Sequence, residues 1–479
     1  MNAHNKSMAW YYALLIAAYV GTIISLVAVV LSENRNPVKS LAWITVLLMV
    51  PVLGVIFYIF FGRSLKNTRM ITRRNRRRLR KRESFRSIDI NTIPFSDESI
   101  QQVKLAQTLS GAIYYPGNKV EIFTSGQAKF DSLMADIENA RQYIHLQYYI
   151  FDDDRIGTRI GELLMRKARE GVKVRIIYDH IGSIKTKNKF FKQLREAGVM
   201  VYPFFRVTFP HFATRINWRN HRKIVIIDGT IGYIGGMNIA DRYIYGTGEG
   251  PWRDTHLRIT GPAVGALQYS FAVDWSFMGQ PLLEETTDTN IPNAPGFTSG
   301  IQMLTSGPTS HWSNIAMMFH KAIAGAKQCV YIQTPYFLPT ESLLRTLQTV
   351  ALSKVDVRLM IPARSDSSIL TYASFSYIQE CLRSGIKVYL YEPSMMHAKT
   401  VIVDDEFVSV GSTNFDFRSF EYNFESNVFI YSHAVNSRMR EIFLEDQKKC
   451  LRVSSNQWRK RPATQKVKES LVRLLSPVL

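Results

Sequence analysis

From about Val120 onward the chain runs through one order of elements twice, and this duplication limits its possible folds more than any other feature. Short apolar stretches alternate with longer amphipathic ones, the pattern of a sheet flanked by helices. Phe123-Thr-Ser-Gly126 returns as Leu304-Thr-Ser-Gly307, and a helical stretch follows each, at 130–141 and 314–327. The strand Ile144-His-Leu-Gln-Tyr-Tyr-Ile-Phe151 returns as Val330-Tyr-Ile-Gln-Thr-Pro-Tyr-Phe337. Val172-Lys-Val-Arg-Ile-Ile-Tyr178 matches Val355-Asp-Val-Arg-Leu-Met-Ile361, and Gly198-Val-Met-Val-Tyr202 matches Gly385-Ile-Lys-Val-Tyr389. A period of roughly 180 residues is far too long for a solenoid. The reading is one α/β domain duplicated, at 119–290 and 300–479, with a Thr-, Asn-, Pro- and Gly-rich linker around 284–300.

Each copy ends in the same motif. The first reads His221-Arg-Lys223, then Asp228, Gly235-Gly236 and Asn238; the second reads His397-Ala-Lys399, then Asp404, Gly411-Ser412 and Asn414. Histidine and lysine stand two apart, lysine and aspartate five, aspartate and glycine seven, in both. The β-branched run up to Ile227 followed by Asp228-Gly229 predicts a hairpin. Residues two apart on a strand point the same way, so each histidine shares a face with its lysine. Asp228 has the opposite parity and is expected to tie the turn down, and Asn238 emerges at the same end as His221.

A histidine, a lysine and an asparagine converging on one spot suit an anionic phosphodiester: charge, neutral donors and a nucleophilic nitrogen. Displacement at phosphorus needs an attacking group and a proton donor on opposite sides, so the two copies are expected to work together. A carboxylate should orient each histidine through its other ring nitrogen. The candidates are Asp254, 33 residues past His221, and Glu425, 28 residues past His397. Gln147 and Gln333 hold equivalent strand positions and either brace a shared interface or line the site. A lone histidine at a strand start is usually structural, but the same five residue types at fixed offsets in two copies reverse that reading. Lysine two residues from histidine repels a cation, and no cluster of ligands accompanies it, so neither metal nor cofactor is expected.

The remainder of the chain concerns its partner. Net charge is +21, which calls for an anionic one, nucleic acid or acidic lipid. Cys329, Cys381 and Cys450 lie far apart, without the spacing of a disulfide scaffold or zinc site. Residues 8–31 carry no charge, about 36 Å as a helix, and 41–61 supply about 32 Å more. Either length matches a hydrocarbon core of roughly 30 Å, so 1–62 is read as a transmembrane helical hairpin, with Pro51 and Gly54 able to kink its second span. Residues 63–118 are read as a basic juxtamembrane linker, since eleven Lys or Arg fall within 63–82. That run keeps both termini cytoplasmic and can hold anionic headgroups. The tail 458–479 is amphipathic enough to lie on a membrane or dock on its own domain.

The pattern His-x-Lys, four residues, Asp, six residues, Gly-Gly or Gly-Ser resembles the signature of the phospholipase D superfamily. Within it, Asn217-Trp-Arg-Asn-His-Arg-Lys-Ile224, Trp252-Arg-Asp-Thr-His-Leu-Arg258 and Gly411-Ser-Thr-Asn-Phe-Asp-Phe-Arg-Ser419 are similar to bacterial cardiolipin synthases, as are Pro51-x-x-Gly54 and Phe61-Gly-Arg63. The resemblance implies two phospholipase D-like α/β domains with mixed sheets packed face to face about a pseudo-twofold axis. It implies His221, Lys223, Asp228, His397, Lys399 and Asp404 as the catalytic signature, with Asn238, Asn414, Asp254, Glu425, Gln147 and Gln333 binding substrate or supporting it. It further implies a metal-independent double displacement that makes cardiolipin and glycerol from two molecules of phosphatidylglycerol at the bacterial inner membrane. By analogy His221 is the nucleophile and His397 the acid/base, the near-symmetry leaving the reverse open. A hydrolytic phospholipase D, a phosphatidylserine synthase and, further off, a nuclease share the motifs, although no nucleic-acid module appears.

Overall fold

The computed structural model describes residues 2–32, 37–50, 53–55, 58, 69–82, 95–207, 217–248, 250–285 and 294–474. The chain divides into two units, residues 1–65 with 207–217, and residues 66–206 with 218–479.

In the first unit α1 (Asn2–Ser32) is one helix of 31 residues, and α2 (Pro37–Met49) follows. The second apolar stretch bends, as its sequence allows. The ring of Tyr58 meets that of Trp43 edge-on at 5.3 Å, beside buried Leu47. Fifteen residues of straight helix would separate them by about 22 Å, so the chain doubles back. Gly54 permits this, because a Cβ there would come within 2.9 Å of the Val46 carbonyl oxygen. Among the described residues no helix is long and apolar enough to cross a membrane; positions 1, 33–36, 51–52, 56–57 and 59–62 of the expected hairpin lie outside them.

In the second unit α3 (Arg73–Arg82) and α4 (Asp97–Ser110) precede the first copy. That copy comprises β1 (Tyr114–Phe123), α5 (Gly126–Glu138), β2 (Tyr143–Tyr148), α6 (Arg155–Arg169), β3 (Lys173–Asp179), α7 (Asn188–Glu196), β4 (Met200–Phe204), β5 (Ile224–Ile227), β6 (Ile231–Gly235), β7 (His256–Thr260) and α8 (Val264–Phe277). The second comprises β8 (Ser299–Ser306), α9 (Asn314–Ala324), β9 (Cys329–Gln333), α10 (Glu341–Leu352), β10 (Asp356–Pro362), α11 (Ser368–Arg383), β11 (Lys387–Tyr391), β12 (Thr400–Val403), β13 (Phe407–Gly411), β14 (Glu425–Tyr431) and α12 (His433–Gln447). After it come β15 (Cys450–Arg452), α13 (Ser455–Arg459) and α14 (Ala463–Arg473).

Both copies lay their strands in one order, β1-β7-β6-β5-β2-β3-β4 and β8-β14-β13-β12-β9-β10-β11, with β15 added at the far edge. The two meet antiparallel through β1 and β8, Tyr114 opposite Gln302 and Tyr115 opposite Ile301, so among the described residues fifteen strands share one hydrogen-bonded sheet. The face-to-face packing implied by the resemblance occurs where β13 and β14 come against β6 and β7, but the two sheets are continuous at the seam. Each copy keeps its own apolar core under its helices.

The stretch 63–118 is more than a linker. Val103 and Ala106 of α4 are buried in the core of the second copy, and Glu406 accepts from the Ser96 and Ser99 hydroxyls at 2.6 and 2.7 Å. Residues 114–118 already belong to β1. At the other end α14 docks on α11, with Arg473 donating to Glu380 at 2.6 Å, while Val467, Leu471 and Leu474 face outward.

Candidate active site

The hairpins form where the motif predicts them, with Ile224 opposite Ile234 and Thr400 opposite Val410. Their turns begin on Asp228 and Asp404, both at φ +50°, a conformation that few residues other than Gly, Asn and Asp adopt. Each carboxylate compensates by accepting three backbone N–H groups. Asp228 takes those of Arg141, Gln142 and Tyr143 at 2.8–2.9 Å, and Asp404 takes those of Lys327, Gln328 and Cys329 over the same distances. Both aspartates therefore sit at the turn end of the hairpin, away from the histidines. The catalytic placing of Asp228 and Asp404 is corrected to an anchoring one.

At the opposite end the copies exchange backbone hydrogen bonds. His221 N–H donates to Phe424 C=O at 2.9 Å, and Phe424 N–H donates to Arg219 C=O at 2.8 Å. Symmetrically, His397 N–H donates to Arg253 C=O at 2.7 Å, and Arg253 N–H donates to Met395 C=O at 2.9 Å. These bridges fix the side-chain partners. His221 Nδ1 donates to Glu425 at 3.0 Å, and His397 Nδ1 donates to Asp254 at 2.6 Å. The pairing expected from sequence order is thus reversed: each carboxylate serves the histidine of the other copy. Both carboxylates are fully buried, and taking Nδ1 leaves Nε2 of each imidazole for chemistry.

The carboxylates are held differently. Glu425 also accepts from the Ser412 hydroxyl and, at 3.1 Å, from Asn423 Nδ2. Asp254 accepts its neighbouring Thr255 N–H at 2.7 Å. Ser412 corresponds to Gly236, where a Cβ would lie 2.1 Å from Asp254 Oδ1. The Gly-Gly of one copy makes room for its acid, whereas the Gly-Ser of the other contributes a donor to it.

Lys223 and Lys399 are buried directly behind the imidazoles. Each donates its ammonium back to the carbonyl of its own motif histidine, Lys223 at 2.6 Å, and Lys399 Nζ also lies 2.9 Å from His397 Nδ1. Burial above all, with the lysines adding to it, outweighs the carboxylates. His221 is pushed down to about 4 and His397 to about 3, so both are neutral near pH 7. Burial also brings Lys399 down to about 8 and Lys223 well below the usual lysine range. Burial alone would raise Glu425, but His221 and Lys223 hold it below the ordinary carboxylate range.

Both histidines open onto one cavity of about 320 Å³, also lined by Asn238, Asn414, Tyr243 and Arg418. Asn238 accepts the Ile150 N–H at 3.1 Å and donates to the Tyr243 hydroxyl at 3.0 Å, so it orients that tyrosine beside His397. Asn414 Oδ1 has no hydrogen-bond partner among the described residues. Neither lysine lines the cavity. Gln147 and Gln333 do not either; they donate to Asp274 and Asp446, which makes them braces rather than substrate contacts. Sequence reasoning missed Tyr243 and Asn423, and it named Trp252 and Ser412 within motifs without giving either a role. The Trp252 ring stands 5.2 Å from that of His397, and only the Gly-Ser against Gly-Gly difference carried a local signal.

Residues 133–259 and 319–447 match the family described as cardiolipin synthase, PLD-like domain, and residues 20–63 match the one described as phospholipase D-nuclease N-terminal. The chain is 41% identical over 479 residues to a cardiolipin synthase of Listeria monocytogenes, covering 98% of this chain and 99% of that one. It is 39% identical over 475 residues to the major cardiolipin synthase of Bacillus subtilis, covering 96% and 98%. Among solved structures, a phosphatidylserine synthase of Haemophilus influenzae shares the fold, with TM-score 0.60 and 13% identity over 79% of this chain and 100% of that one.

Proposed function

The chain belongs to the cardiolipin synthase family of the phospholipase D superfamily, and from that premise we propose that it joins two molecules of phosphatidylglycerol into cardiolipin and glycerol. The observation that carries the reading is the pair of crossed dyads opening on one cavity: two imidazoles, each oriented at Nδ1 by a buried carboxylate.

In the first half-reaction Nε2 of one histidine attacks the phosphorus of a phosphatidylglycerol. The P–O bond to glycerol breaks, and the leaving oxygen takes a proton from the other imidazole. The phosphodiester's negative charge raises both imidazole pKa values as it enters, which lets the acid partner hold that proton. In the second half-reaction the same imidazole removes the proton from a glycerol hydroxyl of a second phosphatidylglycerol. That oxygen attacks phosphorus, and the P–N bond breaks. His221 is assigned as nucleophile and His397 as acid/base.

Lys399 supplies positive potential behind the imidazoles, and Lys223 and Lys399 each hold the backbone carbonyl of their motif histidine. Asn414, whose Nδ2 is turned to Asp416, offers its carbonyl oxygen to a glycerol hydroxyl. We assign the uncharged stretches 8–31 and 41–61, with the basic run after them, to attachment at the cytoplasmic face of the bacterial cell membrane. Recovery of the full chain in the soluble fraction, with none on membranes, would contradict that attachment.

The test is thin-layer analysis of labelled phosphatidylglycerol incubated with detergent-purified protein and no added metal. Cardiolipin and free glycerol are expected. Accumulation of phosphatidic acid instead would make the protein a hydrolase, and intact lipid would refute the reading.

A further inference from the structure

A second cavity, of about 600 Å³, lies behind the first dyad and shares no residue with the reacting one. Its lining contains no acidic residue. Arg69, Arg73 and Arg76 reach it from α3 and the segment leading into that helix. Ser270 of α8 and Ser306 of β8 also belong to the wall, where they are buried, 4% and 2% exposed, and neither hydroxyl has a hydrogen-bond partner among the described residues.

The state of Ser306 follows from a difference between the copies. Its counterpart Ser125 caps α5, accepting the Ala128 N–H at 3.3 Å. In the second copy residues 307–313 intervene before α9 begins at Asn314, so Ser306 caps nothing. Buried hydroxyls are normally paired; two unpaired ones in the wall of a cavity that three arginines also line describe a site for an anion with several acceptor oxygens. Ile71, Met303 and Val273 supply an apolar side that a free phosphate ion would not need.

The cavity also touches the chemistry. Arg222 and Phe424 form part of its wall, and they are the chain neighbours of His221 and Glu425. The corresponding neighbours of the second dyad, Ala398 and Arg253, line neither cavity.

We propose that this cavity holds the phosphodiester headgroup of an anionic phospholipid that does not react, gripped by Arg69, Arg73 and Arg76 and by the hydroxyls of Ser270 and Ser306. The site is independent of the route assigned to the reacting lipid, because its occupant meets neither imidazole.

The experiment uses full-length His397→Ala protein in detergent, so that lipid is not consumed, and native mass spectrometry with dioctanoyl phosphatidylglycerol. Introducing Arg73→Glu with Arg76→Glu on exposed α3 should weaken one bound lipid by about tenfold or more, and Ser306→Ala by several fold. Dioctanoyl phosphatidylcholine should not compete. Unchanged phosphatidylglycerol binding in both variants, at unchanged unfolding temperature, would overturn the site. Displacement of the lipid by an equal concentration of inorganic phosphate would overturn its assignment to a lipid. Cardiolipin formation by the unmodified chain is read separately, so failure of the transferase reading would leave this binding result standing.

Discussion

Set side by side, the first copy closes its hairpin with Gly235-Gly236 and lends Asp254, while the second closes with Gly411-Ser412 and lends Glu425. The shorter acid stands against a bare glycine, and the longer one is steadied by a hydroxyl and an amide. The charges behind them are rebuilt from different chain positions. Arg222, next to His221, pairs with Asp274 at 2.6 Å, and Gln147 shares that carboxylate. The position after His397 is Ala398, and there the guanidinium comes from Arg253 of the other copy, 2.7 Å from Asp446, which Gln333 shares. The comparison teaches that the repeat is one catalytic unit. Each half supplies a histidine to its own dyad and an acid to its neighbour's, so neither half is complete.

The largest effect should come from the histidines. His221→Ala and His397→Ala are each expected to lower kcat by about 10⁴-fold or more, and the double variant should be no worse than the poorer single one. Losses that multiply in the double variant would mean that the dyads work independently.

Asp254→Asn and Glu425→Gln come next, each expected to cost roughly 10²- to 10⁴-fold in kcat with little change in KM, by disordering an imidazole. A silent variant at either position would break the equivalence of the dyads.

The glycine and serine sharpen the contrast between copies. Gly236→Ser, with its Cβ 2.1 Å from Asp254 Oδ1, should displace that acid and cost about 100-fold in rate. Ser412→Gly removes one hydrogen bond from Glu425 and should cost only about tenfold or less. Steady-state rates on labelled phosphatidylglycerol check both.

The smallest effect is one of pH. Burial brings Lys399 down to about 8, so its charge is present below that value and lost above it. A pH profile of kcat/KM, which reports groups in the free enzyme, should therefore fall above about pH 8. A flat profile to pH 10 would remove Lys399 from the account.

Much of this was legible in the chain. The duplication, the hairpins and the anchoring of Asp228 follow from repeat spacing and strand parity, which are local properties. The crossing of Asp254 and Glu425 was not legible, because it depends on Asn220 and Phe424, and Arg253 and Met396, bridging between copies more than 140 residues apart. Hydrophobic periodicity carries no such information. The run 63–118 misled for a similar reason: its basic charge dominates the composition, while the few apolar side chains that dock α4, Val103 and Ala106 among them, declare themselves only against the second copy. Ser270 and Ser306 gave no signal, since an unpaired hydroxyl is a property of its surroundings.

The crossed pairing is tested most directly by NMR of the ¹⁵N-histidine-labelled protein, with the Nδ1–H resonances assigned through His221→Asn and His397→Asn. Glu425→Gln should shift the resonance of His221 and leave that of His397 in place, and Asp254→Asn should do the reverse. Perturbation of His397 by Glu425→Gln with His221 unmoved would contradict the account.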